Sequence, residues 1–397
     1  MDRRRTDRKR EEHTMGTVNA PASLLDGVGA IEAAERVDIA CHDGMNAELA
    51  AAMDALYAHL YASPRYFEAA EALKGAQVYV ASRAGRPLVI LPYHHANGEV
   101  TVASEYMTVE AAEIERFARH MFERHQDVRR VVFPRVCAQP GGMRLPWHAL
   151  VASEDMVVQL PPTVKDYEAA IGKNTRRNIK RYTSALQKDF PSYRYDLQLE
   201  GDIREQDVRD IIALSVMRMK SKNIVPRFND TEVNWIVDFA KTNGIVGVAR
   251  IDGEVAAGAI GFRIGDHYFM HVIAHHPKYN DYSLGILCYY HTLCEGIVRG
   301  ARRFHLLNGR YGYKYRLLAE CTDVIHLDVY RSRFAALLQL PRIARKEAKG
   351  RVWRVKQWLL HDLERIDKPG YRQLAKLVNT LRRAKRARGG EEGAPDH

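Results

Sequence analysis

Apolar residues recur along this chain at two different periods, and the changes between them mark its elements. Residues 76–82 (AQVYVAS) and 87–95 (PLVILPYHH) are short apolar, β-branched runs around Arg83-Ala84-Gly85-Arg86, which predicts two strands joined by a turn. A β-like start at Val37 and an Ala-rich helical stretch over 47–60 precede them. A strand over 99–104, a helix over 109–124 and a strand over 128–133 follow, completing an α+β unit of about 100 residues. A second unit is expected after Pro161-Pro162. It opens with a helix from Thr163 and continues with a strand over 193–199 and helices over 205–220 and 231–242. Three strands come next, 244–251, 255–264 and 267–274, with Asp252-Gly253 and Gly265-Asp266 as hairpin turns between them. Leu284, Leu287, Cys288, Leu293, Cys294 and Ile297 then recur at steps of three and four, one face of a helix over 284–298. Strands over 303–307 and 324–330 close the unit. The halves share an order of helix, turn-linked strands, helix and strand, which points to an internal duplication.

Charge changes this picture at the ends. With 46% hydrophobic and 27% charged residues, the 397-residue chain is of ordinary globular composition and long enough for two domains. Its net charge of +11 is concentrated in residues 331–388, where 18 Lys/Arg face 4 Asp/Glu. The remainder is close to neutral, which argues against a nucleic-acid-binding core. In that basic stretch Val352, Val355, Trp358 and Leu359 share a helical face flanked by Arg351, Arg354 and Lys356. Such a stripe either packs on the core or lies on an anionic membrane surface. Residues 1–35 lack periodicity and are expected to be disordered, as are 389–397. No apolar run reaches the roughly 18–20 residues of a spanning helix, and the charged start MDRRRTDRKREEHT lacks a secretion signal. The expectation is a cytoplasmic protein, at most peripheral to the inner membrane. Cys41, Cys137, Cys288, Cys294 and Cys321 are scattered and show no CxxC spacing, so neither a disulfide framework nor a cysteine zinc site is expected. Cys288 and Cys294 read as buried small hydrophobes.

The stretch 279–316 concentrates the candidate chemistry. Tyr282, Ser283, Leu284, Gly285 and Ile286 stand where a polar loop enters a helix, an arrangement that directs backbone N–H groups at a phosphate, or in which Ser283 simply caps the helix. Tyr313 and Lys314 offer a hydrogen-bonding phenol and a point charge, or else a core aromatic and an exposed lysine. His271, His275 and His276 end the strand at 267–274; strand alternation places His271 and His275 on one face and His276 on the other. An imidazole there suits proton removal from an amine or hydroxyl. A metal site would need a third ligand that the sequence does not place, so no metal is expected. Lys173, Arg176, Arg177 and Lys180 share a helical face, either solvated or turned to an anion.

Three stretches together resemble a known family: KNTRRNIKR at 173–181, the hairpins running into YSLGI at 282–286, and RRFHLLNGRYGYKYRL at 302–317. The chain resembles the GNAT superfamily of acyltransferases, in the double-GNAT branch of CelD-like cellulose-biosynthesis proteins related to FemAB peptidyltransferases. The resemblance implies an α/β (α+β) fold of two tandem GNAT-like units with mixed sheets, plus a basic C-terminal helical extension. The divisions would be 36–155, a degenerate unit; 156–330, the acyltransferase unit; and 331–388, the extension. It implies acetyl-CoA or another acyl-CoA as donor, bound by the 282–286 loop, with the backbone around Val272 and Ala274 polarising the thioester. His271, Tyr313 and Lys314 would carry catalysis, and Lys173, Arg176, Arg177 and Asn308 would bind the acceptor. Where the family commonly has Pro-Gly this chain has Leu284-Gly285, and the loop Asn308–Gly312 lacks the carboxylate found before the Tyr-Lys pair in relatives. The implied activity is transfer of an acyl group, acetyl first, to a sugar, glycolipid or related envelope-polysaccharide precursor. The alternatives are an aminoacyl-tRNA-dependent FemAB-like peptidyltransferase and a non-catalytic membrane-peripheral accessory protein.

Overall fold

The computed structural model describes residues 36–68, 73–220, 228–345 and 347–348. The expected disordered segments 1–35 and 389–397, and all of the basic stretch beyond residue 348, lie outside the described residues. The first unit runs β1 (Val37–His42), α1 (Ala47–Tyr57), β2 (Gln77–Arg83), β3 (Arg86–Ala96), β4 (Glu99–Val102), β5 (Met107–Thr108), α2 (Ala111–Arg124) and β6 (Arg130–Cys137). A long strand, β7 (Trp147–Gln159), leads into α3 (Val164–Ala170), α4 (Lys173–Asp189), β8 (Arg194–Leu199), α5 (Glu205–Lys220) and α6 (Asp230–Asn243). Then come β9 (Gly244–Ile251), β10 (Glu254–Ile264), β11 (His267–His275), α7 (Leu284–Val298), β12 (Arg303–His305), α8 (Gly312–Arg316), β13 (Glu320–Tyr330) and α9 (Arg333–Leu338).

All these strands belong to one mixed sheet, in the order β1-β2-β3-β4-β6-β13-β7-β12-β11-β10-β9-β8, with β5 beside β6. The two units therefore do not keep to themselves. After β6, the chain leaves the first unit as β7 and pairs with β12 of the second, Val157 opposite His305. After β12 it leaves the second unit as β13 and pairs with β6 of the first, Val329 opposite Val131. The two exchanged strands pair antiparallel with each other from Glu320↔Val157 to Val329↔Trp147. The expected boundary at residues 155/156 falls inside β7, and the last strand of the chain completes the first unit's sheet. Leu327 and Val329 are fully buried in the same cluster as Tyr79, Phe117 and Phe133. Asp328, 1% exposed, points into this junction, with Arg130 Nη1 3.7 Å away and His326 Nε2 at 3.1 Å.

Each unit contains parallel pairing crossed by a helix, and the two units differ there in a way that bears on where a ligand fits. In the first unit, β4 and β6 pair over Glu99–Thr101 and Arg130–Val132. The chain then returns, and β5 pairs Met107 with Val136 and Thr108 with Cys137. The gap beyond the parallel pair is thus closed by main chain. In the second unit, β11 and β12 pair over His267–Phe269 and Arg303–His305. There the two strands part, and among the described residues no strand re-pairs the gap. Helices α4 and α7 cover one face of this sheet through Leu186, Leu284, Leu287 and Leu293. Helices α5 and α6 cover the other through Ile211, Ile212, Ile236 and Phe239.

Because Leu327 belongs to the first unit's core while lying in the last strand, Leu327→Ala is expected to cost about 2–5 kcal/mol. Thermal unfolding should remain a single transition, shifted down as a whole. Two separated transitions, with only the second unit weakened, would show that the units fold independently.

Candidate functional site

The strands β11 and β12 diverge at Phe269 and His305, and a cleft of about 270 Å³ opens beside the β11 edge. Ile273 and His275 of β11 form one wall; Tyr289 of α7 and Tyr313 of α8 form an aromatic wall opposite. Ser283, Gly285 and Ile286, at the start of α7, form the floor, and Arg218 at the end of α5 contributes a positive charge. Ser283 adopts a left-handed conformation, φ 49°, which turns the chain sharply into α7. A non-glycine residue held there is strained, and such strain concentrates at functional sites.

The helix entrance presents fewer donors than the residues of the 282–286 loop suggest. Ser283 N–H donates to Asn280 O (3.1 Å) and Ile286 N–H to Ser283 O (2.8 Å). Leu284 and Gly285, the first two helical residues, are left to direct their amides out of the helix end, where the helix dipole also favours an anion. The Ser283 side chain makes no capping bond; the Tyr182 phenol of α4 stands near it. Gly285 is required by a side chain as well as by any ligand, because a Cβ there would stand 3.0 Å from His275 Nδ1. The imidazole thus rests on the helix entrance. Its Nε2 lies 2.9 Å from Asn280 Oδ1. With that oxygen as acceptor, Nε2 carries the hydrogen and the neutral ring's lone pair sits on Nδ1. Tyr313 donates to Tyr289 Oη at 3.4 Å. Burial pushes both phenols above their ordinary pKa, so each stays protonated and able to donate.

Several expected site residues lie elsewhere. The pairing of β10 with β11 shifts register at Ile260/Gly261, opposite a bulge that contains His271. A bulge breaks strand alternation, so His271 faces α6, its ring 5.7 Å from that of Trp235, while His275 faces α7. The expectation that the two share a face is overturned, and of the two only His275 lines the cleft. Val272 and Ala274 bury their side chains against α5 and α6. Their backbone lies on the stretch of β11 beyond the end of its pairing with β12. Lys314 is 2% exposed, and its ammonium donates to the carbonyls of Leu306 (2.6 Å), Leu307 (3.1 Å) and Asn308 (2.6 Å). Burial lowers its pKa to about 8, against the raising influence of Asp155 and Glu154. Lys314 holds the chain leaving β12 and so positions Tyr313; it is not exposed to an anion. Asn308 contributes its carbonyl to that anchor. Arg176 donates to Glu168 O and Ala169 O at the end of α3, and Arg177 lies 3.4 Å from Asn174 Oδ1. Neither these arginines nor the exposed Lys173 lines the cleft, and Tyr282 donates to Asp189 Oδ2 (2.8 Å) instead. Cys288 and Cys294 are pushed up to about 12 by burial, far from the thiolate a nucleophile requires.

Sequence periodicity did not reveal Arg218, Asn280 or the acidic residues of β7. Glu154, 2% exposed, accepts from Gly309 N–H (3.2 Å) and Arg310 Nε (2.9 Å), so the carboxylate missing from the 308–312 loop arrives from another strand as an anchor. Its neighbour Asp155 binds the units together. Asp155 Oδ2 lies 2.6 Å from His305 Nδ1 and 3.4 Å from His59 Nε2, all three buried. The three side chains are close enough to hold one ion, but both imidazoles turn N–H groups to Asp155 Oδ2, while its buried Oδ1 has no hydrogen-bond partner. His59 Nδ1 accepts from Tyr61 N–H (3.2 Å), so its Nε2 carries the hydrogen toward Asp155. His305 Nδ1 donates to the same oxygen, and its Nε2 meets His267 Nδ1 at 3.3 Å. The cluster is a hydrogen-bonded chain of side chains. Burial alone would raise the Asp155 carboxyl, but the His305 charge and the two imidazole bonds outweigh it and hold it well below the usual carboxylate range.

The geometry agrees with what sequence comparison finds. Residues 173–315 match the sequence model of the acetyltransferase (GNAT) domain. That span contains the cleft, with α7 and its entrance loop, so the chain carries a GNAT-type acyltransferase fold. Among curated proteins no match was found. Of the solved structures that resemble it, FemX has a TM-score of 0.54 at 9% identity, over 76% of this chain and 99% of that one. A tandem GNAT protein from the clavulanic acid biosynthesis pathway gives 0.36 at 12% identity, over 74% of this chain and 98% of that one. The C-terminal domain of a putative lysylphosphatidylglycerol synthetase from Agrobacterium fabrum gives 0.41 at 12% identity, over 63% and 83%. The likeness to FemX is one of fold.

The buried imidazoles make the junction acid-sensitive. Burial, then the His305 and Arg303 charges, lower His267 from its ordinary 6.5 to about 4; burial above all lowers His59. Between pH 6.5 and 4 the unfolded chain therefore holds more protons than the folded one, and stability falls as pH drops through that window. The urea midpoint should decline from pH 7 to 4, and His267→Asn should flatten the decline. An equally steep decline in the variant would contradict this assignment.

Proposed function

We propose that the protein is an acyl-CoA-dependent N- or O-acyltransferase whose donor site is the β11/β12 cleft. The observation that carries this reading is the opening of that cleft onto the amide end of α7. A pyrophosphate fits there against the Leu284 and Gly285 amides, and the thioester arm then runs along the unpaired part of the β11 edge. Backbone N–H groups around Val272–Ala274 polarise the thioester carbonyl. The acceptor nitrogen or oxygen attacks that carbon and gives its proton to water in the cleft. The C–S bond breaks, and the thiolate leaves as CoA after taking a proton from Tyr313. Reprotonation of Tyr313 by solvent closes the cycle, with no covalent enzyme intermediate.

Acetyl is the donor group of this proposal, and a sugar, glycolipid or related envelope-polysaccharide precursor is the acceptor class proposed with it. The closer relation to CelD-like proteins and a cytoplasmic location belong to the same proposal. Among the described residues no helix is long and apolar enough to cross a membrane.

Two variants separate binding from chemistry. Gly285→Asp places a negative charge and a Cβ at the helix entrance. An acidic residue there suits the helix itself, so the fold should persist while acetyl-CoA binding, read by calorimetry, is lost. Tyr313→Phe should leave donor affinity within a few-fold and lower kcat by about 10²-fold or more. Folded wild-type protein that binds neither acetyl-CoA nor longer acyl-CoAs would overturn the proposal and favour an aminoacyl-tRNA donor.

A further inference from the structure

Helix α9 leaves the sheet at Tyr330 and is firmly tied down. Ser332 Oγ accepts the Ala335 N–H at 3.1 Å, and the Arg331 guanidinium donates to the carbonyls of Phe122, His125 and Gln126 at the end of α2. Beyond the helix, Glu347 Oε1 lies 3.1 Å from His148 Nε2 of β7. Held in this way, α9 turns its small residue inward and its large ones outward. Ala335 is buried, whereas Phe334, Leu337 and Leu338 are 69%, 58% and 55% exposed. Steps of three and four put these three on one helical face. A surface helix of a soluble protein shows the opposite polarity. Leu340 and Trp147 add to the exposed apolar surface, Trp147 from the start of β7, opposite Val329, at the sheet end from which α9 departs. An apolar patch of this kind marks an interaction site.

Charge identifies the occupant. Arg333, Arg342 and Arg345 are exposed on the same short stretch, and residues 331–388 carry 18 Lys/Arg against 4 Asp/Glu. We propose that the outward face of α9 docks on an anionic lipid bilayer, with its apolar side chains at the acyl boundary and the arginines among the head groups. A second copy of the chain would bring like charges face to face, which disfavours self-association through this patch. The docking is independent of the transfer reaction and is tested without it.

The test uses the full chain and sedimentation with phosphatidylcholine vesicles, with and without phosphatidylglycerol. Wild type should partition onto phosphatidylglycerol-containing vesicles and be released by raised salt. The combined Phe334→Ser, Leu337→Ser and Leu338→Ser variant should lose roughly tenfold or more in partition, with an unchanged thermal melt because all three are exposed. Should the triple variant fail to fold, Leu337→Trp alone serves: its added fluorescence should shift to the blue on anionic vesicles only. No partition by folded wild type, partition untouched by the triple variant, or an unshifted Leu337→Trp spectrum would each overturn the proposal. So would a dimer in solution that the triple variant dissolves, since a second copy would then cover the face.

Discussion

The antiparallel pairing of β7 with β13 is the interaction from which the rest of the molecule follows. Each of these strands belongs by chain order to one unit and by hydrogen bonding also to the other. Their exchange fuses two GNAT-like sheets into one continuous sheet and places a row of acidic side chains at the seam. Asp155 and Asp328 are buried there only because histidines and an arginine from both units converge on them. Removing one partner of such a buried pair costs far more than a surface ion pair contributes. A register slip along the seam would leave these charges without partners, so the polar residues fix the pairing while Leu327, Val329 and Val157 supply the burial.

The seam also accounts for the difference between the units. Both have a parallel strand pair crossed by a helix, but the first closes its gap with β5 and has Glu110 as the N-cap of α2 and Glu113, paired with Arg116, in its first turn. Carboxylates at that helix entrance occupy the electrostatic position an anionic ligand would take. The second unit leaves its gap open, and a strained Ser283 and an acid-free first turn stand at the corresponding helix entrance. Glu154 and Lys314 hold the chain after β12 away from β11, one from the exchanged strand and one from α8. The open cleft is thus maintained by buried polar anchors outside it.

Much of the fold was legible because its local signals agree. The hairpin turns at Asp252-Gly253 and Gly265-Asp266 and the helix at Leu284–Val298 stand where periodicity puts them. β7 was missed because Ser153, Glu154 and Asp155 interrupt its apolar pattern: a strand buried on both faces that carries paired charges reads as a loop. The strand exchange had no local signal at all, since pairing partners lie more than 140 residues apart. At the site, the helix entrance was legible from the change of polar loop to apolar helix, and Tyr313 only through the family resemblance. His271 was misplaced because one bulge reverses alternation, and Lys314 because burial turned an apparent anion binder into an anchor. Arg218 carries no motif; it enters the cleft only through the packing of α5 across the sheet.

The central claim is that the second unit's cleft receives an acyl-CoA and the first unit's closed counterpart does not. Amide hydrogen exchange of the full chain with and without a saturating CoA thioester tests it most directly. The account predicts added protection over 270–289, at the β11 edge and the entrance of α7, with residues 99–116 unchanged. Protection appearing at 99–116 instead, or none anywhere with any acyl-CoA, would contradict it.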